Sequence, residues 1–224
     1  PPELKAKIAQ ANKLSLSQLR DLWVALAGKI PHTPTNRQQF CQATVDALGC
    51  TLDLLEGKEV SYADEVKRLY DIELRPRSED CFLAAQNELD SVLPGKGDIS
   101  VRLTEFNARQ ALTPEMLSVA IDTAMAECRQ RTAQIVDLRP GEDFRTEVVT
   151  DKPWGAYNWF LGDAKSLIEI NTDLPLTPLR LLDLICHEAY PGHHTEHQLK
   201  EAIFYLEMGY DEFGAAILHS PTAV

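Results

Sequence analysis

The chain has 224 residues, of which 44% are hydrophobic, so it is long enough for one large domain or two small ones around a packed core. Its 22 lysine and arginine residues are outnumbered by 34 aspartate and glutamate residues, which gives a formal net charge of −12. This balance argues against nucleic acid or an anionic membrane as the main partner, because both reward a basic face, although it leaves room for a local basic groove.

Residues 1–135 are predicted to form a helical region. Ser15 followed by Gln18 is a capping-box pattern, and apolar residues recur at helical spacing from there to Ile30. Further helices are predicted over residues 36–56, 61–74, 78–93 and 113–136. The last three each begin at a serine or threonine, residue types that cap helices well.

The sequence pattern changes near residue 136, and residues 136–224 are predicted to combine a small β unit with more helices. Strands rich in Val, Ile, Tyr and Phe are predicted over residues 146–150, 156–162 and 166–171, with a turn at 162–165. A helix then starts with Thr177 as cap and Pro178 as first residue, and another covers residues 193–209. We therefore predict a mainly α-helical fold, with both regions in one continuous domain.

Five cysteines are dispersed and form no C-x-x-C pair: Cys41, Cys50, Cys81, Cys128 and Cys186. This suits a reducing compartment and buried thiols better than a disulfide framework. No segment approaches the ~18 uninterrupted apolar residues of a membrane span, and no secretory signal is visible. We therefore expect a cytoplasmic protein that does not bind a membrane, and leave open a signal peptide that has been removed.

The segment HEAYPGHHTEH, residues 187–197, holds four of the six histidines. In the zinc-peptidase motif H-E-x-x-H, two histidines on one helix face bind the metal and the glutamate is the general base. Here His187 and Glu188 are followed by Pro191 at the fifth position, where a helix must break or kink. If the Pro-Gly pair acts as an insertion, His193 takes the place of the second ligand, whereas after a simple kink His194 competes for it.

A second frame is also present in this segment. His193, Glu196 and His197 match the inverted zinc motif H-x-x-E-H, with Glu196 as the base. Spacing alone does not choose between the two frames. The simplest alternative is a polar helix start in which the histidines bind no metal. Cys186, next to His187, also invites a ligand interpretation, beside the simpler one of a small core residue.

The letters HEAYPGHH, residues 187–194, resemble the H-E-x-x-P-G-H-H signature of a large, mostly bacterial family catalogued as a domain of unknown function. That family is grouped with gluzincin-type zinc metallopeptidases, and its mostly helical plan is similar to that of the carboxypeptidase Taq relatives. The resemblance extends over about residues 150–200 and includes AKSLIEINTDLP. It implies that His187 and His193 bind zinc, that Glu188 is the base, and that His197 is incidental, because family members usually carry glutamine in place of Glu196.

The resemblance also suggests roles for neighbouring residues. His194 would lie behind the metal ligands or rival His193 as a ligand. Tyr190 would donate a hydrogen bond to an oxyanion or close the wall of the cleft. The strand SLIEIN would pair with extended substrate, as the strand before the zinc helix does in related peptidases. Trp154, Tyr157 and Trp159 are predicted to lie in the core or to line the cleft.

The sequence departs from the family pattern after the signature. The family's third ligand lies in an E-G-x-A-like segment some thirty or more residues downstream, and nothing here matches it. We therefore expect a piece of a longer chain that binds zinc weakly or not at all and that self-associates through apolar surface. In the alternative, Glu207, Glu212 or His197 completes the site.

These features lead us to expect a zinc-dependent metallopeptidase that acts on a peptide or small amide substrate, although a chain without the third ligand would itself be inactive. Two alternatives remain at this point. One is a non-catalytic helical protein with a structural or vacant metal site. The other is an amidase that uses the same zinc chemistry on a non-peptide substrate.

Overall fold

The computed structural model describes residues 13–30, 35–214, 217 and 219–221. The chain divides into two compact units, Pro1–Arg77 with Ala215–Val224, and Ser78–Gly214. The described residues are mainly helical with one small sheet, so the predicted fold class is confirmed. The predicted change of structure near residue 136 falls inside the second unit, and the division of the chain at that residue stays a prediction. Residues 1–12 of the predicted helical region lie outside the described residues.

The first unit contains three described helices: α1 (Leu16–Ala27), α2 (Asn36–Leu55) and α3 (Tyr62–Tyr70). The predicted capping box at the start of α1 is confirmed, because the Ser15 hydroxyl accepts from the Gln18 N–H at 3.3 Å and the Gln18 side chain accepts from the Ser15 N–H at 2.9 Å. Trp23 packs against Gly49 of α2, and its indole N–H donates to the carbonyl oxygen of Val45 at 2.8 Å.

The second unit begins with α4 (Glu79–Val92), α5 (Ile99–Arg109) and α6 (Pro114–Thr132). The starts of α4 and α6 agree with the predicted helices after Ser78 and Thr113. No prediction covers α5, although Asp98 caps it by accepting from the N–H groups of Ser100 and Val101. An aspartate cap before a short helix is a weak signal, because aspartate is also common in turns.

A three-stranded sheet follows, with β1 (Asp143–Val149), β2 (Ala156–Gly162) and β3 (Lys165–Asn171) in the order β1-β3-β2. β3 is parallel to β1 and antiparallel to β2. Asp163 and Ala164 turn the chain between β2 and β3 with φ angles of 55° and 52°, which suit the tight turn of a hairpin. Their N–H groups donate to the buried carboxylate of Glu201 at 2.9 and 3.1 Å.

The helix that carries His187 is α7 (Pro178–Glu188), which is capped by Thr177 as predicted. α8 (His193–Leu199) comes next and continues as a π-helical segment (Lys200–Glu207). One core joins α6, the sheet and α7, and its apolar members include Ile121, Met125, Ile168, Ile170, Leu181, Leu184 and Ile185. This core fixes the C-terminal end of α7 beside the sheet. No helix in the described part of the chain is both long and apolar enough to cross a membrane.

We predict that Ile168→Ala destabilises the second unit by about 2–5 kcal/mol, because it leaves a cavity at a position that is 1% exposed. Ile135→Ala is the matched control, since Ile135 is 78% exposed and its truncation should change stability by less than about 0.5 kcal/mol. Denaturant unfolding followed by circular dichroism measures both variants. Equal effects would contradict the assignment of β3 to the centre of the core.

Candidate functional site

The chain breaks sharply between α7 and α8. The Tyr190–Pro191 peptide bond is cis, and Gly192 follows with its α-carbon packed against the end of α7. A Cβ added to Gly192 would lie 1.8 Å from the carbonyl oxygen of His187, so no other residue fits this conformation. The Gly192 carbonyl then accepts from the Glu196 N–H at 3.0 Å, which starts α8. The Pro-Gly pair therefore separates two helices and does not merely kink one.

This break brings together the two histidines that the first frame selects. The ring centroids of His187 and His193 are 4.7 Å apart, and the rings are nearly perpendicular at 86°. His187 is exposed, and the His193 side chain is 37% exposed. Two imidazoles thus meet edge to face at the surface of the second unit.

Glu188 is buried beside this histidine pair. The residue is 7% exposed, and burial raises the pKa of its carboxyl group, while the nearby His193 and His187 rings act in the opposite direction. Its backbone carbonyl accepts from the Asn158 side-chain amide of β2 at 2.6 Å. A raised pKa makes the ionised carboxylate a stronger base, and this carboxyl group lies next to two imidazoles.

Glu196 stands in a different environment. Its carboxylate is hydrogen-bonded to His193 Nδ1 at 3.3 Å and also pairs with the Lys200 ammonium group. The hydrogen bond with His193 is the main cause that lowers the pKa of Glu196 to about 2, and the same contact raises the pKa of His193. Because Glu196 engages Nδ1, Nε2 of His193 is left as the nitrogen for another partner.

His197 lies against β2. Its ring is 5.3 Å from the ring of Phe160 and stacks on the ring of His193 at 5.7 Å. Burial lowers the pKa of His197 to about 4, so the ring is neutral at physiological pH. The second frame therefore has its two histidines side by side, but its glutamate is already engaged by His193 and Lys200.

His194 and Tyr190 belong to a buried network behind the junction. His194 is fully buried, with Nδ1 2.8 Å from the Ser166 hydroxyl and Nε2 2.9 Å from Glu142. The Tyr190 hydroxyl donates to the same Glu142 oxygen at 2.5 Å, and burial raises the pKa of Tyr190 far above its usual range. Both ring nitrogens of His194 and the hydroxyl proton of Tyr190 are therefore engaged within the protein.

Glu142 is the common acceptor of this network, and its side chain is only 2% exposed. Burial alone would raise the pKa of Glu142, but hydrogen bonds from Tyr190, His194 and Arg129 outweigh it and lower the pKa. The ionised carboxylate can only accept, so His194 carries a proton on Nε2. Sequence analysis missed Glu142, because it lies in a loop 52 residues before His194 and belongs to no motif.

The sheet corrects one expectation about substrate binding. The predicted strand SLIEIN is β3, and both of its edges are occupied, by β1 and by β2. It therefore has no free edge with which to pair an extended substrate. In the described residues β2 is paired along one edge only, and its Asn158 side chain bonds to the end of α7. The three aromatic residues form one cluster with ring centroids 4.6–6.3 Å apart: Trp154, Tyr157 and Trp159.

A third metal ligand does not emerge from these contacts. In the described residues, no group of three or more His, Cys, Asp or Glu side chains is placed to hold a metal ion. Neither Glu207, Glu212 nor His197 therefore completes a set with His187 and His193. Comparison with known proteins adds no relative, because no protein-family model, curated protein or solved structure matches the chain.

We predict that Gly192→Ala disrupts the junction at a cost of more than about 3 kcal/mol, because the new methyl group collides with the backbone of His187. Gly155→Ala is the matched control in the same unit, since its added methyl group would meet side-chain atoms at 3.5 Å, an ordinary contact distance. Thermal and chemical unfolding of the two variants test this difference. A stable Gly192→Ala protein would show that the junction has another conformation.

We predict that Glu142→Gln lowers stability by about 3 kcal/mol at neutral pH, because it removes a buried charge that Arg129 and His194 pair with. The folded-state pKa of Glu142 is lowered, so its contribution is complete above about pH 4.3, the usual glutamate pKa, and is lost as pH falls further. The stability gap between wild type and variant should therefore shrink as acidity increases.

The control for this experiment is Glu147→Gln, which changes an exposed carboxylate on β1. This substitution should alter stability by less than about 0.5 kcal/mol at every pH tested. Chemical denaturation between neutral pH and about pH 3 measures all three proteins in the range where glutamates titrate. A Glu142→Gln gap that stays constant or widens with acid would contradict an ionised Glu142 in the folded protein.

Proposed function

We propose that the protein is a zinc-dependent hydrolase of peptide or related amide bonds. The observation that supports this proposal is the meeting of His187 and His193, 4.7 Å apart, next to the buried carboxyl group of Glu188. In this proposal His187 and His193 would hold the zinc ion, and Glu188 would accept a proton from the attacking water. The resemblance to the H-E-x-x-P-G-H-H family points to the same three residues.

The two histidines fit a zinc ion by their chemistry. Neutral imidazole is a preferred zinc ligand, and a histidine that binds zinc usually donates its other ring N–H to a carboxylate. Glu196 is placed to accept that bond from Nδ1 of His193, which frees Nε2 for the metal. Bound there, zinc would supply Lewis acidity, which polarises a carbonyl group and acidifies a water molecule. The pair provides two of the three protein ligands that catalytic zinc ordinarily takes.

Glu188 is a better candidate for the general base than Glu196. A base works best when its pKa lies near the working pH. Burial raises the pKa of Glu188, whereas the contact with His193 lowers the pKa of Glu196 to about 2. In this role Glu188 would take a proton from an attacking water and pass it to the leaving amine. This difference favours the first frame over the inverted one.

The edge of β2 that no described strand pairs with favours an extended peptide as substrate. Gly155 accepts from the Asn171 N–H at 2.9 Å, and hydrogen-bonded pairs alternate along an antiparallel ladder. The backbone groups of Ala156, Asn158 and Phe160 therefore point away from β3. They can pair with the backbone of a peptide that lies along β2. The strand also contacts the site, because the Asn158 side-chain amide donates to the Glu188 carbonyl.

His194 and Tyr190 support the site from behind in this proposal. Their polar atoms are bonded to Ser166 and Glu142, and their rings pack at a centroid distance of 5.2 Å. They hold the peptide segment between Glu188 and His193, and thereby the positions of the two ligands. We accordingly assign the metal to His187 and His193 without His194, and we assign no oxyanion contact to Tyr190.

We predict that, in a form of the protein in which a third ligand completes the site, Glu188→Gln lowers zinc-dependent cleavage of a fluorogenic peptide library by about 10²–10⁴-fold, because it removes the general base. Glu196→Gln is the matched variant for the second frame. It should keep activity within about tenfold, since the new amide oxygen can still accept from His193. The reverse pattern, with Glu196 essential and Glu188 dispensable, would contradict the proposal.

Zinc binding by the histidine variants tests the ligands separately from turnover. His187→Ala and His193→Ala should each weaken zinc binding strongly, as measured by calorimetry with zinc alone. His197→Ala should retain the wild-type affinity within about tenfold, because its ring packs on Phe160 and is not a ligand in this proposal. Loss of zinc in His197→Ala but not in His187→Ala would favour the inverted frame.

A further inference from the structure

We propose that Cys128 and Cys186 form an oxidisable thiol pair, which closes to a disulfide that links α6 to the last turn of α7. The two sulfur atoms are 3.7 Å apart in the structure and both are free thiols. A disulfide bond is about 2.05 Å long, so closure requires the sulfurs to approach by about 1.6 Å. This inference does not depend on the proposed hydrolase activity.

The two cysteines lie on helices that already pack together. Cys128 belongs to the same core as Ile121, Met125 and Ile185, and Cys186 packs against the edge of that core. They are 58 residues apart in sequence, so the packing of the two helices, rather than their nearness along the chain, brings them together. A bond between them would join two helices within one compact unit and would not require the helices to separate.

The surroundings assign different roles to the two thiols. Cys186 is partly exposed, whereas Cys128 is 7% exposed. Burial, followed by the contact with Cys186, raises the pKa of Cys128 to about 11, so Cys128 stays protonated at neutral pH. Because Cys186 is the more exposed of the two thiols, an oxidant from solution meets Cys186 first, and Cys128 reacts second, from within the protein.

The chemistry balances with a hydroperoxide as oxidant. In the first step, the Cys186 sulfur attacks the peroxide, the O–O bond breaks, and Cys186 becomes a sulfenic acid while an alcohol or water leaves. In the second step, the Cys128 sulfur attacks the Cys186 sulfur, the S–O bond breaks, and water leaves with the thiol proton. The two sulfurs together lose two electrons, which the two peroxide oxygens gain.

The position of the bond gives it a consequence for the site. Cys186 directly precedes His187, and the disulfide would hold the end of α7 to α6 at this point. The other described thiols are differently placed: Cys41 and Cys50 lie on α2 in the first unit, and Cys81 is exposed on α4. Cys81 therefore serves as an internal standard for the extent of oxidation.

The test is a titration of the reduced protein with hydrogen peroxide, followed by reductant-free peptide mapping and intact mass. At doses that oxidise Cys81, we expect one cross-linked peptide that contains Cys128 and Cys186. Formation of this disulfide should lower the number of free thiols per denatured molecule by two. Reduction with dithiothreitol should restore both thiols. Complete oxidation of Cys81 without any Cys128–Cys186 cross-link would overturn the proposal.

Two variants separate the proposed pair from other pairings. In Cys128→Ser, the cross-linked peptide should disappear and dimedone should label a sulfenic acid at Cys186, because the second thiol is absent. In Cys81→Ser, the cross-link should form as in the wild type. If Cys186 in the wild type is instead found linked to Cys41, Cys50 or Cys81, or is labelled by dimedone without closing, the pairing is wrong.

Discussion

The ionised carboxylate of Glu142 is buried and accepts hydrogen bonds from Tyr190, His194 and Arg129. These bonds tie the loop before β1 to both sides of the break between α7 and α8. The cost of burying a charge is offset only when its partners are all in place, so this network favours a single arrangement of the junction. The relative position of the His187 and His193 rings depends on that arrangement, because the two residues lie on opposite sides of the junction.

The network also divides the histidines by chemistry. Both ring nitrogens of His194 are hydrogen-bonded, one to Ser166 and one to Glu142. The rings of His187 and His193 lie at the surface. Gly192 makes this division feasible, because only a residue without a side chain can lie so close to the carbonyl oxygen of His187. The glycine of this segment thus has a structural reason that is independent of any metal.

The sequence predicted the features that depend on a few neighbouring residues, namely helix caps and a tight turn. Ser15 and Thr177 cap their helices, and the tight turn before Lys165 forms where expected, because each depends on a few neighbouring residues. It could not place β3 between β1 and β2, since strand order depends on contacts between distant segments.

The contacts of the site residues could not be predicted from the sequence for the same reason. Spacing left His193 and His194 as rival ligand candidates. In the structure the His194 ring contacts Ser166 and Glu142, whereas the His193 ring lies against His187. Those partners lie 28 and 52 residues away in sequence and carry no motif. The nearness of Cys128 to Cys186 was hidden for the same reason.

The most direct test of the account is anomalous diffraction from crystals of the protein soaked in millimolar zinc, a concentration that also detects weak binding. The account predicts one zinc peak about 2.0–2.1 Å from a ring nitrogen of each of His187 and His193, with Glu188 beside it. His194 should keep its bonds to Ser166 and Glu142. Zinc on His194, zinc between His193 and His197, or no zinc at the histidine pair would contradict the account.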